Sequence, residues 1–253
     1  MIHPLIMAAL GTGFTFLMTT LGAAMVFFFA KEIPVRFQSA ILGFAGGVMT
    51  AASVWSLLLP AIEQASSETV LPCWIAPAIG LTLGALFLSG LDLLIHAQRF
   101  SAIHAPPGFQ ENLLLICAIT LHNIPEGMAI GLAFALSDGG NPAAAAALAL
   151  GIGIQNLPEG AAISLPLRQT GSSRFQAFFY GMLSGTVEPV FGLLVVLAAS
   201  RIRHLMPWLL SFAAGAMLYV VVDELVPHAQ GKAGTIGYIV GFLIMMILDI
   251  ALG

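Results

Sequence analysis

Apolar runs long enough to cross a bilayer follow one another along almost the whole chain, at residues 5–30, 38–62, 74–97, 111–136, 142–167, 175–199, 205–228 and 233–252. A helix needs about 20 such residues to span the hydrocarbon layer. The runs are continuous rather than alternating, which excludes strands of a membrane barrel. With 59% hydrophobic and 8% charged residues, the chain has too few charges to cover a soluble globule, which carries about 25%. The expectation is a single all-α integral membrane domain over residues 1–253, a bundle of eight transmembrane helices. No lysine precedes Lys31, so the first run reads as a retained span rather than a signal peptide. A net charge of −4 without a clustered basic face gives nucleic acid nothing to bind. Cys73 and Cys117 form no metal-binding or redox pair motif. The connectors are short, so the work of the protein lies within the membrane.

Basic residues set the expected orientation, because short cytoplasmic loops collect them. The odd-numbered connectors hold Lys31, Arg36, Arg99, Arg168, Arg174 and Lys232, against Arg201 and Arg203 in the even-numbered ones. Both termini are therefore expected outside the cytosol, in a plasma membrane, or the inner membrane of a Gram-negative cell. Small residues spaced four apart, such as Gly43 with Gly47 and Gly181 with Gly185, permit close helix packing.

Two stretches break this apolar character: LHNIPEG at 121–127 and IQNLPEG at 154–160. An ionisable side chain at mid-bilayer costs about 2.5 to 3.5 kcal/mol on insertion scales, which marks it as functional. Glu126, Glu159 and, in SGTVEP, Glu188 all fall near the middle of their runs. Antiparallel succession of the fourth and fifth helices makes the two motifs a local inverted pair. Spacings of three and four place His122, Asn123 and Glu126 on one helix face, and Gln155, Asn156 and Glu159 on another. Pro125 and Pro158 have no N–H for the carbonyls of Leu121 and Ile154, so both helices are expected to be kinked there, with freed carbonyls beside the carboxylates. Gly127 and Gly160 make room for neighbouring helices.

Carboxylates, an imidazole and amides converging at one depth describe a divalent-cation site. Imidazole with carboxylate and no thiolate suits zinc, iron(II) or manganese, and the ligand set does not choose among them.

On HNIPEG, QNLPEG and SGTVEP, the chain resembles the ZIP (Zrt/Irt-like) family of divalent metal transporters, along essentially its whole length. The resemblance implies uptake of zinc, with iron(II), manganese and cadmium as further cargo, and a homodimer. It implies one ion held by His122, Glu126, Gln155 and Glu159, with Glu126 and Glu159 bridging to a second held by Asn123, Asn156 and Glu188. Met49 matches a position that looks like a thioether ligand in bacterial members; packing is the other reading of a methionine in an apolar span. Gln155 and Asn156 stand where some relatives carry histidine and an acid.

Asp92 and His96, and Asp223, Glu224 and His228, fall at the expected cytoplasmic ends of the third and seventh helices. They read either as an exit path for the ion or as ordinary solvated helix ends. His3, His104 and Asp249 are expected to face solvent. Transport into the cytosol by alternating access is the leading expectation. A proton-coupled carrier of another solute and a metal exporter remain as alternatives. An intramembrane metalloprotease would need HExxH, a pattern this sequence lacks. No enzymatic activity and no cofactor beyond the transported metal are expected.

Overall fold

The computed structural model describes residues 4–28, 34–68, 72–101, 109–137, 142–169, 171–199 and 203–252, and within them leaves out several side chains, including those of residues 92, 95–101, 109–119, 121 and 122. Among the described residues every regular element is helical. The helices are α1 (Pro4–Ala24), α2 (Val35–Ala52), α3 (Leu59–Glu68), α4 (Ile75–Ser101), α5 (Phe109–Leu136), α6 (Ala143–Gln169), α7 (Arg174–Gly185), α8 (Val187–Ala199), α9 (Met206–Val220), α10 (Val226–His228) and α11 (Gly231–Leu252). Among the described residues, five helical stretches are long and apolar enough to cross a membrane: Pro4–Phe27, Val35–Ser66, Arg174–Ala199, Met206–His228 and Gly231–Ala251.

The distribution of polarity is inverted relative to a water-soluble protein. Ile6, Leu10, Leu17 and Leu21 of α1 face outward, as do Ile236, Ile239, Leu243 and Ile247 of α11. Thr12, Thr15, Thr19, Asn123, Glu126, Gln155, Asn156 and Glu188 are buried. Only a hydrocarbon solvent favours an apolar outside around a polar inside, so this is an all-α membrane protein.

In lipid, helices associate through close packing rather than the hydrophobic effect. Glycines supply that closeness at four pairings. A methyl group at Gly43 or Gly47 of α2 would collide with the α11 backbone at Gly234 or Tyr238, and one at Gly237 or Gly241 would collide with Ala40 or Phe44 in return. Gly84 and Gly215 lock α4 to α9, and Gly22 and Gly160 lock α1 to α6. Gly127 and Gly131 seat α5 on α8 at Glu188 and Gly192.

α5 and α6 remain helical through Pro125 and Pro158, the positions where kinks are expected. A proline in a membrane helix removes one hydrogen bond, and the flanking turns carry the helix onward. Departures from α-helical winding occur at other places. Wide, π-type turns occupy Ser53–Leu58, between α2 and α3, and Val221–Leu225, between α9 and α10. Pro60 and Pro227 follow them, and each lacks the N–H that would have bonded a carbonyl four residues back, at Ser56 and Asp223. The helical run from α7 to α8 is interrupted at Thr186, two residues before Glu188.

Local sequence accounts for the ends near these elements. α7 starts on a capping box, where the Gln176 N–H donates to Ser173 Oγ at 3.2 Å and the Ser173 N–H donates to Gln176 Oε1 at 3.0 Å. Gly231, at φ 73°, takes the left-handed conformation that lets the chain leave α10 and enter α11.

Candidate metal site

Side by side, α5 and α6 join their motifs directly: Gln155 Nε2 donates to Glu126 Oε1 at 2.7 Å. Asn123 Nδ2 donates to the Ser184 carbonyl of α7 at 3.1 Å, and Asn156 Nδ2 donates to Glu188 Oε2 at 3.0 Å. Each of these three buried amides thus spends its nitrogen on a protein acceptor. Against an ionised carboxylate or a carbonyl, only the NH₂ side of an amide can bond, so its oxygen must turn elsewhere.

Those oxygens meet no donor among the described residues. Asn123 Oδ1, Glu126 Oε2, Gln155 Oε1, Asn156 Oδ1 and Glu159 Oε1 are all buried and lack a hydrogen-bond partner among the described residues. Buried polar atoms are satisfied in the great majority of cases, and a group of orphans needs an explanation. All five are acceptors, and all five come from the two motifs. Acceptor oxygens of this kind are the donors that a hard or borderline cation takes as ligands.

Charge points the same way. Glu126 lies within electrostatic range of both Glu159 and Glu188, and Glu159 within range of Glu188 and Glu224. Glu188, fully buried, stands in the first turn of α8, where the amide dipoles favour a carboxylate. Its Oε1 also accepts from Thr19 Oγ1 of α1 at 3.3 Å.

The profile of the ZIP Zinc transporter family matches residues 109–249, from the start of α5 into α11. Zinc transporter ZIP11 of Xenopus tropicalis is 37% identical across 99% of this chain and 98% of its own length. Zinc transporter GufA of Myxococcus xanthus is 38% identical across 93% and 94%, and Zinc transporter ZIPB of Bordetella bronchiseptica is 39% identical across 97% and 81%. The chain belongs to the ZIP family.

Within this ZIP protein, Glu126, Gln155, Asn156, Glu159 and Glu188 come together as a connected group, and Asn123 is tied to Ser184 of α7. The side chains of His122, Asp92 and His96 lie outside the described residues, as do His3 and His104. Met49 is buried in the hydrophobic cluster that also contains Ala129 and Ile130 of α5 and Leu148 and Ile152 of α6. Among the described residues, no three His, Cys, Asp or Glu side chains form a ready-made metal cage by themselves.

Asp223 and His228 are exposed and Glu224 is half-buried, on the wide turn and short helix that end the α9 rod. His228 Nδ1 lies 2.6 Å from the Glu224 carbonyl. Asp249 corrects an expectation. Rather than facing solvent it is buried and accepts from Ser56 Oγ at 2.5 Å, because α11 packs along α2 and the wide turn at Ser53–Leu58 presents that serine. Reading the sequence for ligands also passed over Thr15, Thr19 and Ser184, which bear no charge. The available signal was the spacing of Thr12, Thr15 and Thr19, which puts three hydroxyls on one face of an otherwise apolar helix.

Proposed function

We propose that this chain carries divalent transition-metal ions across the membrane, zinc foremost and iron(II), manganese and cadmium as further cargo. The observation that carries the reading is the set of five buried, partnerless acceptor oxygens contributed by the two motifs. Relatives covering almost the whole chain bear the name zinc transporter, which supports the same cargo.

In this reading His122, Glu126, Gln155 and Glu159 hold one ion, with Met49 beside them, and Asn123, Asn156 and Glu188 serve a second. The eight helical spans cross the bilayer with both termini outside the cytosol, in the plasma membrane or a Gram-negative inner membrane. Copies of the chain pair as a homodimer. Transport runs inward by alternating access around the mid-membrane site. Release passes Glu224, Asp223 and His228 on one wall and Asp92 and His96 on another. An ion that replaces water with fixed oxygens needs its ligands to be prearranged, and the amide bonds to Glu126, Glu188 and Ser184 supply that order.

Uptake of labelled zinc, iron(II) and manganese by cells expressing the chain tests this. Glu126→Ala is expected to abolish accumulation at equal surface expression. Accumulation equal to wild type would overturn the assignment.

A further inference from the structure

α1 brings no carboxylate, imidazole or amide to the site, yet its inner face is a ladder of Thr12, Thr15 and Thr19, each with 0% exposure. A threonine within a helix ordinarily spends its hydroxyl on a carbonyl of the preceding turn. Thr12 does this with Ala8 at 2.7 Å. Thr15 and Thr19 make longer bonds of that kind, 3.0 Å to the Thr12 carbonyl and 3.2 Å to the Thr15 carbonyl. Both also come within hydrogen-bonding reach of Glu188. A hydroxyl has one proton to give, and a carboxylate is a stronger acceptor than a neutral carbonyl.

Glu188 is consequently held at both oxygens: Thr19 at Oε1 and Asn156 at Oε2. The second bond decides which way Asn156 turns. With Nδ2 engaged by Glu188, Asn156 Oδ1 is left among the partnerless oxygens of the site. The height of α1 is set by packing, since Gly160 lies against the Thr19 backbone and Gly185 against its side chain.

We propose that Thr15 and Thr19 are positioning residues of the metal site, holding Glu188 so that Asn156 keeps its oxygen turned toward the cargo ion. This rests on the transport reading above, and it adds a helix that provides no ligand of its own.

Zinc uptake kinetics in proteoliposomes of the purified full chain test it. Valine keeps the shape of threonine and removes the hydroxyl. Thr19→Val and Thr15→Val are each expected to raise the zinc KM about tenfold, with the maximal rate changed by less than about twofold. Thr19→Ser, which restores the hydroxyl, is expected to recover most of that affinity. Thr12→Val, at an equally buried position whose hydroxyl is engaged by the Ala8 carbonyl, is expected to match wild type. In an Asn156→Ala background, Thr19→Val is expected to add nothing, because the group it orients is gone.

The proposal is overturned by an unchanged KM in both valine variants, by Thr12→Val matching them, by no recovery in Thr19→Ser, or by effects that add to Asn156→Ala. Should Thr19→Val fail to insert, Thr15→Val carries the same expectation alone and an unchanged KM there overturns it. Glu126→Ala in the same vesicles separates the two claims: flux at the wild-type level would remove the transport reading itself, whatever the threonines do.

Discussion

Gln155 of α6 donates its amide to Glu126 of α5 across 2.7 Å, tying the two copies of one motif together at the centre of the protein. The two copies differ at the donor's position, glutamine in one and histidine in the other.

Gln155→His replaces a hard oxygen with a borderline nitrogen, which suits zinc better than manganese. Competition uptake is expected to show the preference for zinc over manganese rising by about tenfold. Unchanged competition would mean that residue 155 does not contact the ion.

Gly127 lies against the backbone of Glu188, so even one methyl group forces α5 from α8. Gly127→Ala is expected to lower stability by about 1 to 3 kcal/mol. Gly90→Ala, where an added carbon meets nothing within 4 Å, is the matched control and is expected to melt like wild type. Thermal denaturation of the detergent-solubilised protein measures both.

Much of this was open to sequence reading, and the parts that were not have specific causes. The all-helical membrane class follows from uninterrupted apolar runs, and the pairing of the two motifs from their helical spacing. The wide turns ahead of Pro60 and Pro227 were not legible, because a proline alone does not say whether the helix around it runs on or widens. Pro125 and Pro158 sit inside helices α5 and α6 that run on through them, while Pro60 and Pro227 follow wide turns, and a single sequence does not distinguish the two contexts. Asp249 was read as exposed from its position near the end of the chain, but burial there depends on which helix lies alongside. The threonines of α1 escaped notice because an uncharged hydroxyl in an apolar helix is usually satisfied by its own backbone.

Ser56 is the single described donor to Asp249, whose Oδ2 already lacks a partner. Ser56→Ala leaves a buried carboxyl without any donor and is expected to cost about 1 to 3 kcal/mol of stability. Asp249→Asn in the same background is expected to recover part of that loss. A melting temperature unmoved by Ser56→Ala would show that the pair contributes nothing.

Glu224 stands within electrostatic range of Glu159 on the wide turn Val221–Leu225. Removing its charge weakens the attraction that draws a cation away from the mid-membrane site. Glu224→Gln is expected to lower the maximal uptake rate by about tenfold while the zinc KM stays near wild type. A raised KM with an unchanged maximal rate would place Glu224 on the binding side of the cycle instead.

The central claim is that the partnerless oxygens of α5 and α6 take hold of the cargo ion. Calorimetric titration of zinc into the purified protein measures that directly, comparing wild type with the Glu126→Ala, Glu159→Ala double variant. Saturable binding that disappears in the variant is the predicted result. Zinc binding of equal stoichiometry and affinity in both proteins would contradict it.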